Sequence, residues 1–350
     1  MSVSVVELLG VCVEAAERAC KRIREIRAGG DLGAIDKGDG KDAFTGRPMV
    51  DIQTEADRQS EKIIFSVIKC RYPEMKVVGE EESSGPPLDC SEMVLSPRSS
   101  SPIDKLRSNF PSDVVCNISE LSIFVDPLDG TSEFVHNRLH CVSVIIGIAR
   151  NGTRLAGVIA RPFPDETVCA DSVMYGIVGL GVFIDHLPFH KPTVNSPNGK
   201  PIVTTTLRRS HRIIERLFEL CPCEIIKEGG AGYKFWLTIT GKVDSYVYPR
   251  PGTKKWDVLA GDAILSALGG VTTDACGRTI RYDEATYGND WGLIASYDRH
   301  LHFRRIVAAS HQAIAEAVAD RTFDHWPSGL DVPSIALESS LYKRSYAFLV

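Results

Sequence analysis

A short, largely apolar run from Leu121 to Val125 ends in Asp126-Pro127-Leu128-Asp129-Gly130-Thr131, and this junction constrains the chain more than any other feature. A run of that length and composition is a buried strand. Where it ends, two carboxylates three positions apart turn inward and a helix begins at Thr131. Hard divalent cations take several oxygen ligands, and one turn supplies them here from Asp126, Asp129 and the Leu128 carbonyl. The amides of Gly130 and Thr131 would face an anion, as helix N-termini do. An acidic turn with an aspartate as helix cap has the same local pattern, and the motif alone leaves both open.

Composition narrows the classes. The 350 residues are 43% hydrophobic and 24% charged, ample for a large core in one domain or two tightly packed halves. A net charge of −5 offers no general field for a nucleic acid polymer, although metal ions and local lysines still suit a small anion. Glu7, Glu14 and Glu17 interrupt the first apolar stretch, unlike a secretory leader. The run Cys141 to Ala149 is too short to cross a bilayer, so no membrane association is expected. Ten cysteines include no C-x-x-C pair, and Cys221 and Cys223 lack partners at zinc spacing. Reduced, mostly buried thiols and a cytoplasmic location are the expectation.

Periodicity predicts a helix over 4–27, stopped by Gly29-Gly30, then a Gly-rich loop over 34–50. A second helix starts at Thr54 and ends at Tyr72-Pro73, followed by a short strand Lys76 to Gly79 that runs into Glu80-Glu81-Glu82. Residues 83–118, rich in Ser, Pro and Asp, are expected to be an insertion or loop. Strands follow at 141–149 and 154–161 about an Asn151-Gly152 turn, and a strand pair spans Gly176 to Ile184. Beyond a Pro-marked linker the chain alternates: strand Ile202–Thr206, helix Ser210–Cys221, strand Glu224–Lys227, a helix opened by Gly229-Gly230-Ala231-Gly232, strand Ser245–Tyr248 and helix Asp257–Leu268. Such alternation indicates an α/β layer. A last amphipathic helix covers 303–319. The expected division is 1–187, 188–310 and a tail 311–350 without clear pattern.

Other acids are ambiguous one at a time. Glu80 and Glu81 suit a surface pair, Asp57 a capping box in Thr54-Glu55-Ala56-Asp57, and Asp257 a helix cap after Trp256. A covalent aspartyl-phosphate enzyme needs aspartates two apart on one strand face, and here they are three apart. No G-x-x-x-x-G-K-[ST] loop occurs.

Taken together, T-E-A-D, G-E-E, D-P-L-D-G-T-S-E-F and K-W-D-V-L-A-G-D-A-I-L occur in an order that resembles the lithium-sensitive, Mg²⁺-dependent phosphomonoesterases. That superfamily includes inositol monophosphatases, inositol polyphosphate 1-phosphatases, fructose 1,6-bisphosphatases and bisphosphate nucleotidases. The resemblance spans about residues 5–310 and implies an α+β or α/β fold, a layered αβαβα sandwich with two sheets. The nucleotidases look most similar, through Gly30-Asp31-Leu32-Gly33, Ile202 to Thr206, Arg209-Ser210-His211, Gly229 to Lys234 and Pro251 to Asp257.

The resemblance implies the following roles. Glu80, Asp126 and the Leu128 carbonyl hold one Mg²⁺; Asp126, Asp129 and Asp257 hold a second; a weaker third lies near Asp57 and Glu80. Thr131, paired with Asp57, positions and deprotonates the attacking water. Thr206, Ser210, His211, Gly230 and Lys234 bind nucleotide, with Lys234 on the non-reacting phosphate. The implied reaction removes the 3′-phosphate of adenosine 3′,5′-bisphosphate, with the sulfated nucleotide as a second substrate. Li⁺ inhibition and a monomer or homodimer are also implied. An inositol polyphosphate 1-phosphatase and an inactive nucleotide or phosphoinositide sensor are the alternatives. The chain departs from the family pattern in a longer 34–49 loop, in two extra residues between Thr204 and His211, and in Ala260-Gly261-Asp262 where relatives often have A-P-E. Asp262 is accordingly expected to alter contact with a substrate hydroxyl.

Overall fold

The structure is a computed structural model, and it describes residues 1–38, 50–81, 102–164, 172–192, 200–207, 212–283, 288–289, 292–297 and 301–319. A short strand β1 (Ser2–Ser4) leads into helix α1 (Val5–Gly29), where the Ser4 hydroxyl accepts from the Glu7 amide at 3.0 Å. Gly30 ends α1 with φ of 84°, a conformation that disfavours a side chain. Short strands β2 (Ile35–Asp36) and β3 (Ile52–Gln53) pair, and α2 (Glu55–Arg71) follows the Thr54–Asp57 capping box. Next come β4 (Lys76–Gly79), α3 (Pro102–Asn109), β5 (Val115–Asn117), β6 (Leu121–Asp129) and α4 (Thr131–Val135). Strands β7 (Ser143–Arg150), β8 (Thr153–Arg161), β9 (Ser172–Ile177), β10 (Gly181–Ile184) and β11 (Leu187–Phe189) form a meander.

The remainder alternates: β12 (Ile202–Thr206), α5 (Arg212–Leu220), β13 (Glu224–Glu228), α6 (Ala231–Ile239), β14 (Ser245–Tyr248), β15 (Thr253–Lys254) and α7 (Lys255–Ala267). Then follow β16 (Val271–Thr273), β17 (Gly288–Asn289), β18 (Leu293–Ser296) and α8 (Leu301–Ala319).

Two sheets organise these elements. The larger has the order β11-β10-β9-β8-β7-β6-β4, antiparallel except where β4 runs parallel to β6. Side chains alternate between its faces, as a pleat requires. Ile123, Val125, Val144, Ile146 and Val158 pack with Leu8, Cys12, Ala16 and Ile23 of α1. Phe124, Ile145, Ile159 and Met174 face Val258 and Leu259 of α7. Helix α7 comes close because Gly147 and Gly157 are register partners beneath it. A Cβ on Gly157 would stand 2.5 Å from the Ala260 carbonyl, and one on Gly147 2.5 Å from Leu259 Cγ.

The smaller sheet has the order β13-β12-β14-β18-β16. One face, with Tyr246, Leu293 and Ala295, packs on α6 and α7. The other, with Val203, Val247 and Ile294, packs on α5 and α8 through Ile213, Leu217, Ile306 and Val307. The layers are thus helix, sheet, helix, sheet, helix, the αβαβα sandwich that the resemblance implies.

Local differences have local causes. The strand expected from 141 begins at Ser143, because Leu139–Cys141 close a 3₁₀ turn. Helix α7 begins two residues before Asp257, because Asp257 is its third residue and bonds back to the Lys254 amide. The stretch 83–118 is not all loop: Ile103 and Leu106 of α3 bury against the core, and β5 pairs with β1. Most of the 34–50 loop, the strand linker at 193–199 and the tail beyond 319 lie outside the described residues. Cys70 is disulfide-bonded, which corrects the expectation of reduced thiols throughout; seven other described cysteines are free. No helix among the described residues is long and apolar enough to cross a membrane.

Candidate active site

Strands β4 and β6 are neighbours and parallel, so their C-terminal ends lie at one edge of the sheet. Gly79 is the register partner of Val125, and the Glu80 amide donates to the Val125 carbonyl at 3.2 Å. Glu80 and Asp126 therefore emerge side by side. Between Asp126 and Asp129 the β6–β7 register shifts, which turns both aspartates out of the ladder toward one cleft. Helices α6 and α7 present their N-termini there, bringing Gly230 and Asp257, and the partial positive charge of those ends favours anions.

The cleft has a volume of ≈ 540 Å³. Glu80, Asp126, Leu128, Asp129, Thr131, Thr206, Gly230, Lys234 and Asp257 all line it. Asp57 stands behind Thr131, whose hydroxyl donates to Asp57 Oδ1 at 2.9 Å and to the Leu128 carbonyl at 3.1 Å. Asp57 also accepts from the Thr54 amide at 2.7 Å and from the Thr54 hydroxyl. Burial outweighs these bonds and pushes the Asp57 carboxyl up to about 6. Ser210 and His211 lie outside the described residues.

The cleft carboxylates differ in how far the chain satisfies them. Asp129 accepts at Oδ1 from the Ala231 amide at 2.8 Å, and at Oδ2 from the Ser143 hydroxyl at 2.7 Å and the Gly232 amide at 2.8 Å. Those bonds tie the β6 turn to α6 and leave Oδ1 one lone pair. Glu80 and Asp126 lie within bonding reach of each other, Asp126 Oδ1 also accepts from the Leu128 amide at 3.1 Å, and both acids are held well above the usual carboxylate range by burial and by the neighbouring acids. Asp257 is pushed up to about 7, chiefly by burial. The donors crowded here are all oxygen, and repulsion among these buried acids is what a bound cation relieves. These residues fit a hard divalent cation such as Mg²⁺.

Lys234 is buried in the lining of the same cleft. Its ammonium donates to the Gly230 carbonyl and to the Glu228 carbonyl at 3.4 Å, and lies 5.1 Å from the Tyr246 ring centre. Burial lowers its pKa, and Asp129 opposes that shift. Tyr246, Tyr248, Thr253 and Lys254 also line the cleft and were missed in the sequence. The period-2 spacing of the two tyrosines on β14 was the available signal. Asp262 corrects an expectation: it is fully buried away from the cleft, bonded by the Tyr282 hydroxyl at 2.7 Å and by Arg154 at 3.4 Å, so it touches no substrate hydroxyl.

Comparison with known proteins matches residues 5–320 to the model of the inositol monophosphatase family. The chain is 32% identical over 302 residues to 3′(2′),5′-bisphosphate nucleotidase 1 of Rattus norvegicus, covering 84% of this chain and 92% of that protein. It is 30% identical over 314 residues to the protein of the same name from Dictyostelium discoideum, covering 86% and 96%. The crystal structure of extragenic suppressor protein suhB from Bartonella henselae aligns with a TM-score of 0.61 at 21% identity, over 87% of this chain and 98% of that one, a likeness of fold.

Proposed function

The chain belongs to the inositol monophosphatase family, and from that premise we propose that it is a Mg²⁺-dependent phosphomonoesterase that removes the 3′-phosphate of adenosine 3′,5′-bisphosphate, giving AMP and phosphate. One observation carries the reading: the crowded, buried acids Glu80, Asp126, Asp129 and Asp257 share a single cleft with the buried lysine Lys234. Two anionic groups of one small substrate match those two poles. The names of the relatives favour a bisphosphorylated nucleotide.

In this reading Glu80, Asp126 and the Leu128 carbonyl would hold one ion, and Asp126, Asp129 and Asp257 a second, with a weaker third near Asp57 and Glu80. The chemistry a Mg²⁺ held there would supply is neutralisation of the phosphate dianion, a lowered pKa for a water and stabilisation of the leaving oxygen. Thr131 directs its proton to Asp57 and Leu128, so its lone pairs accept from a water and aim it at phosphorus. Asp57, raised by burial, is suited to take the proton that this water sheds. Attack in line with the ester oxygen breaks the P–O bond and returns the 3′-hydroxyl. No covalent aspartyl intermediate forms. Lys234 counters the 5′-phosphate, Gly230 and Thr206 line the same cleft, and Ser210 and His211 are further nucleotide-binding residues that the family resemblance implies. The sulfated nucleotide fits the same poles, and Li⁺ inhibits by entering the acidic wall.

The test is phosphate release from adenosine 3′,5′-bisphosphate and from inositol 1,4-bisphosphate, with Mg²⁺, with and without Li⁺. Release from neither removes the enzyme reading. Strong preference for the inositol substrate replaces the nucleotidase with an inositol polyphosphate 1-phosphatase.

A further inference from the structure

Behind the substrate end of the cleft, three side chains that the reaction does not use come together. His140 and Cys141 lie in the 3₁₀ turn before β7, and Glu228 is the last residue of β13. One ligand atom from each lies within 4.8 Å of the other two. Cys141 Sγ is 3.4 Å and His140 Nε2 is 3.5 Å from the same oxygen, Glu228 Oε2. In a tetrahedral zinc centre, Zn–S of about 2.3 Å and Zn–N or Zn–O of about 2.0–2.1 Å place neighbouring donors roughly 3.3–3.6 Å apart. Two of the three donor–donor edges already have that length.

The geometry points to a site for a borderline transition-metal cation of the zinc class, held by His140 Nε2, Cys141 Sγ and Glu228, with solvent as fourth ligand. The donors are mixed sulfur, nitrogen and oxygen, which suits zinc and not the magnesium of the acidic wall. The Gly229 amide donates to the Cys141 sulfur, the kind of contact that tunes a ligating thiolate. Binding expels the thiol proton to solvent as the metal–sulfur bond forms, with no change of oxidation state. His140 and Glu228 retain 39% and 19% exposure of their side chains, so an ion can enter from solvent. Arg138 is the competitor in the metal-free protein. Its guanidinium donates to Glu228 Oε2 at 3.2 Å and also bonds Cys141, and its 35% exposure lets it swing away.

Occupancy would act on the cleft through backbone. The Cys141 carbonyl packs against Gly230, where an added Cβ would meet it at 2.3 Å, and Glu228 directly precedes Gly229-Gly230. Lys234 donates to the Glu228 carbonyl. An ion that pins the end of β13 to the turn therefore shifts substrate affinity more than turnover.

The experiment titrates the full chain with Co²⁺ under saturating Mg²⁺, which keeps the acidic wall filled. One thiolate-to-cobalt charge-transfer band per chain is expected in the near ultraviolet. Cys141→Ser should abolish it, His140→Ala should weaken Co²⁺ binding at least tenfold, and Arg138→Ala should tighten it. No band in the folded wild type overturns the site, and so does an undiminished band in Cys141→Ser, which would assign it to another thiol. Should Cys141→Ser fail to fold by circular dichroism, the half-exposed His140→Ala decides alone, unchanged affinity refuting the site. Zn²⁺ should raise KM severalfold with kcat little changed in the wild type but not in His140→Ala; an equal effect in both overturns the coupling.

Discussion

Helix α7 carries two buried aspartates in opposite circumstances. Asp257, at its N-terminus, faces Glu80, Asp126 and Asp129 and accepts from the Lys254 amide at 2.7 Å. Asp262, farther along, is held by the Tyr282 hydroxyl, Arg154, Ser266 and Thr272. Burial raises both, Asp257 to about 7 and Asp262 to about 6, so titration alone does not tell them apart. Their partners do. A buried acid whose partners belong to the chain is part of the architecture, whereas one among other acids awaits a cation from outside.

That contrast predicts a crossing of effects. Asp126→Asn should lower kcat about a thousandfold or more in a phosphate-release assay, on the scale of losing metal-ion catalysis. Its melting temperature without Mg²⁺ should not fall, because a neutral side chain relieves the crowding of buried acids; a clear drop would make Asp126 structural. Asp262→Ala should do the reverse. It leaves Arg154 and the Tyr282 hydroxyl without their acid and should cost about 3 kcal/mol in denaturant unfolding. Turnover should stay within a few fold, and a large kcat loss would return Asp262 to the site.

Thr131→Val sharpens the boundary between ligand and water-positioning roles. The hydroxyl to Asp57 is lost while the acids remain, so kcat should fall about a hundredfold with KM little changed. A rise in KM alone would refute the role.

Asp262 also predicts a pH dependence. Burial raises its folded pKa to about 6, above the ordinary aspartate value of about 3.8, so the folded state holds the proton more tightly. Its contribution is fully present below about pH 4 and is lost as pH rises through about 6, a change of roughly 3 kcal/mol. Unfolding measured with saturating Mg²⁺, to keep the cleft acids filled, should show that slope, and Asp262→Asn should flatten it. Lys234→Met should have the smallest effect, about a tenfold rise in KM for the nucleotide, or about 1.4 kcal/mol. An unchanged KM would remove the 5′-phosphate from this wall.

Much of the fold was legible because its signals are local. The spacing of Leu8, Cys12, Ala16 and Ile23 marks α1, the Thr54–Asp57 box marks the start of α2, and Asn151-Gly152 adopts positive φ of 49° and 71° between β7 and β8. Asp57, Glu80 and Asp257 each remained an ordinary cap or surface acid until motif order tied them to Asp126. Asp262 was misjudged because helical periodicity places it on a face without saying what that face meets. The His140–Cys141–Glu228 cluster left no trace, since Glu228 is 87 positions from Cys141 and comes from the other sheet.

Read alone, the sequence determined the elements, the caps, the acidic turn at Asp126 to Thr131 and the family they resemble, all properties of residues within a few positions of one another. The tertiary structure decided which acids meet. Parallel pairing of β4 with β6 sets Glu80 beside Asp126, close seating of α7 over Gly147 and Gly157 brings Asp257 to the sheet, and the amides of α6 bind Asp129. Those contacts depend on register and layer packing over long separations, which no local pattern encodes.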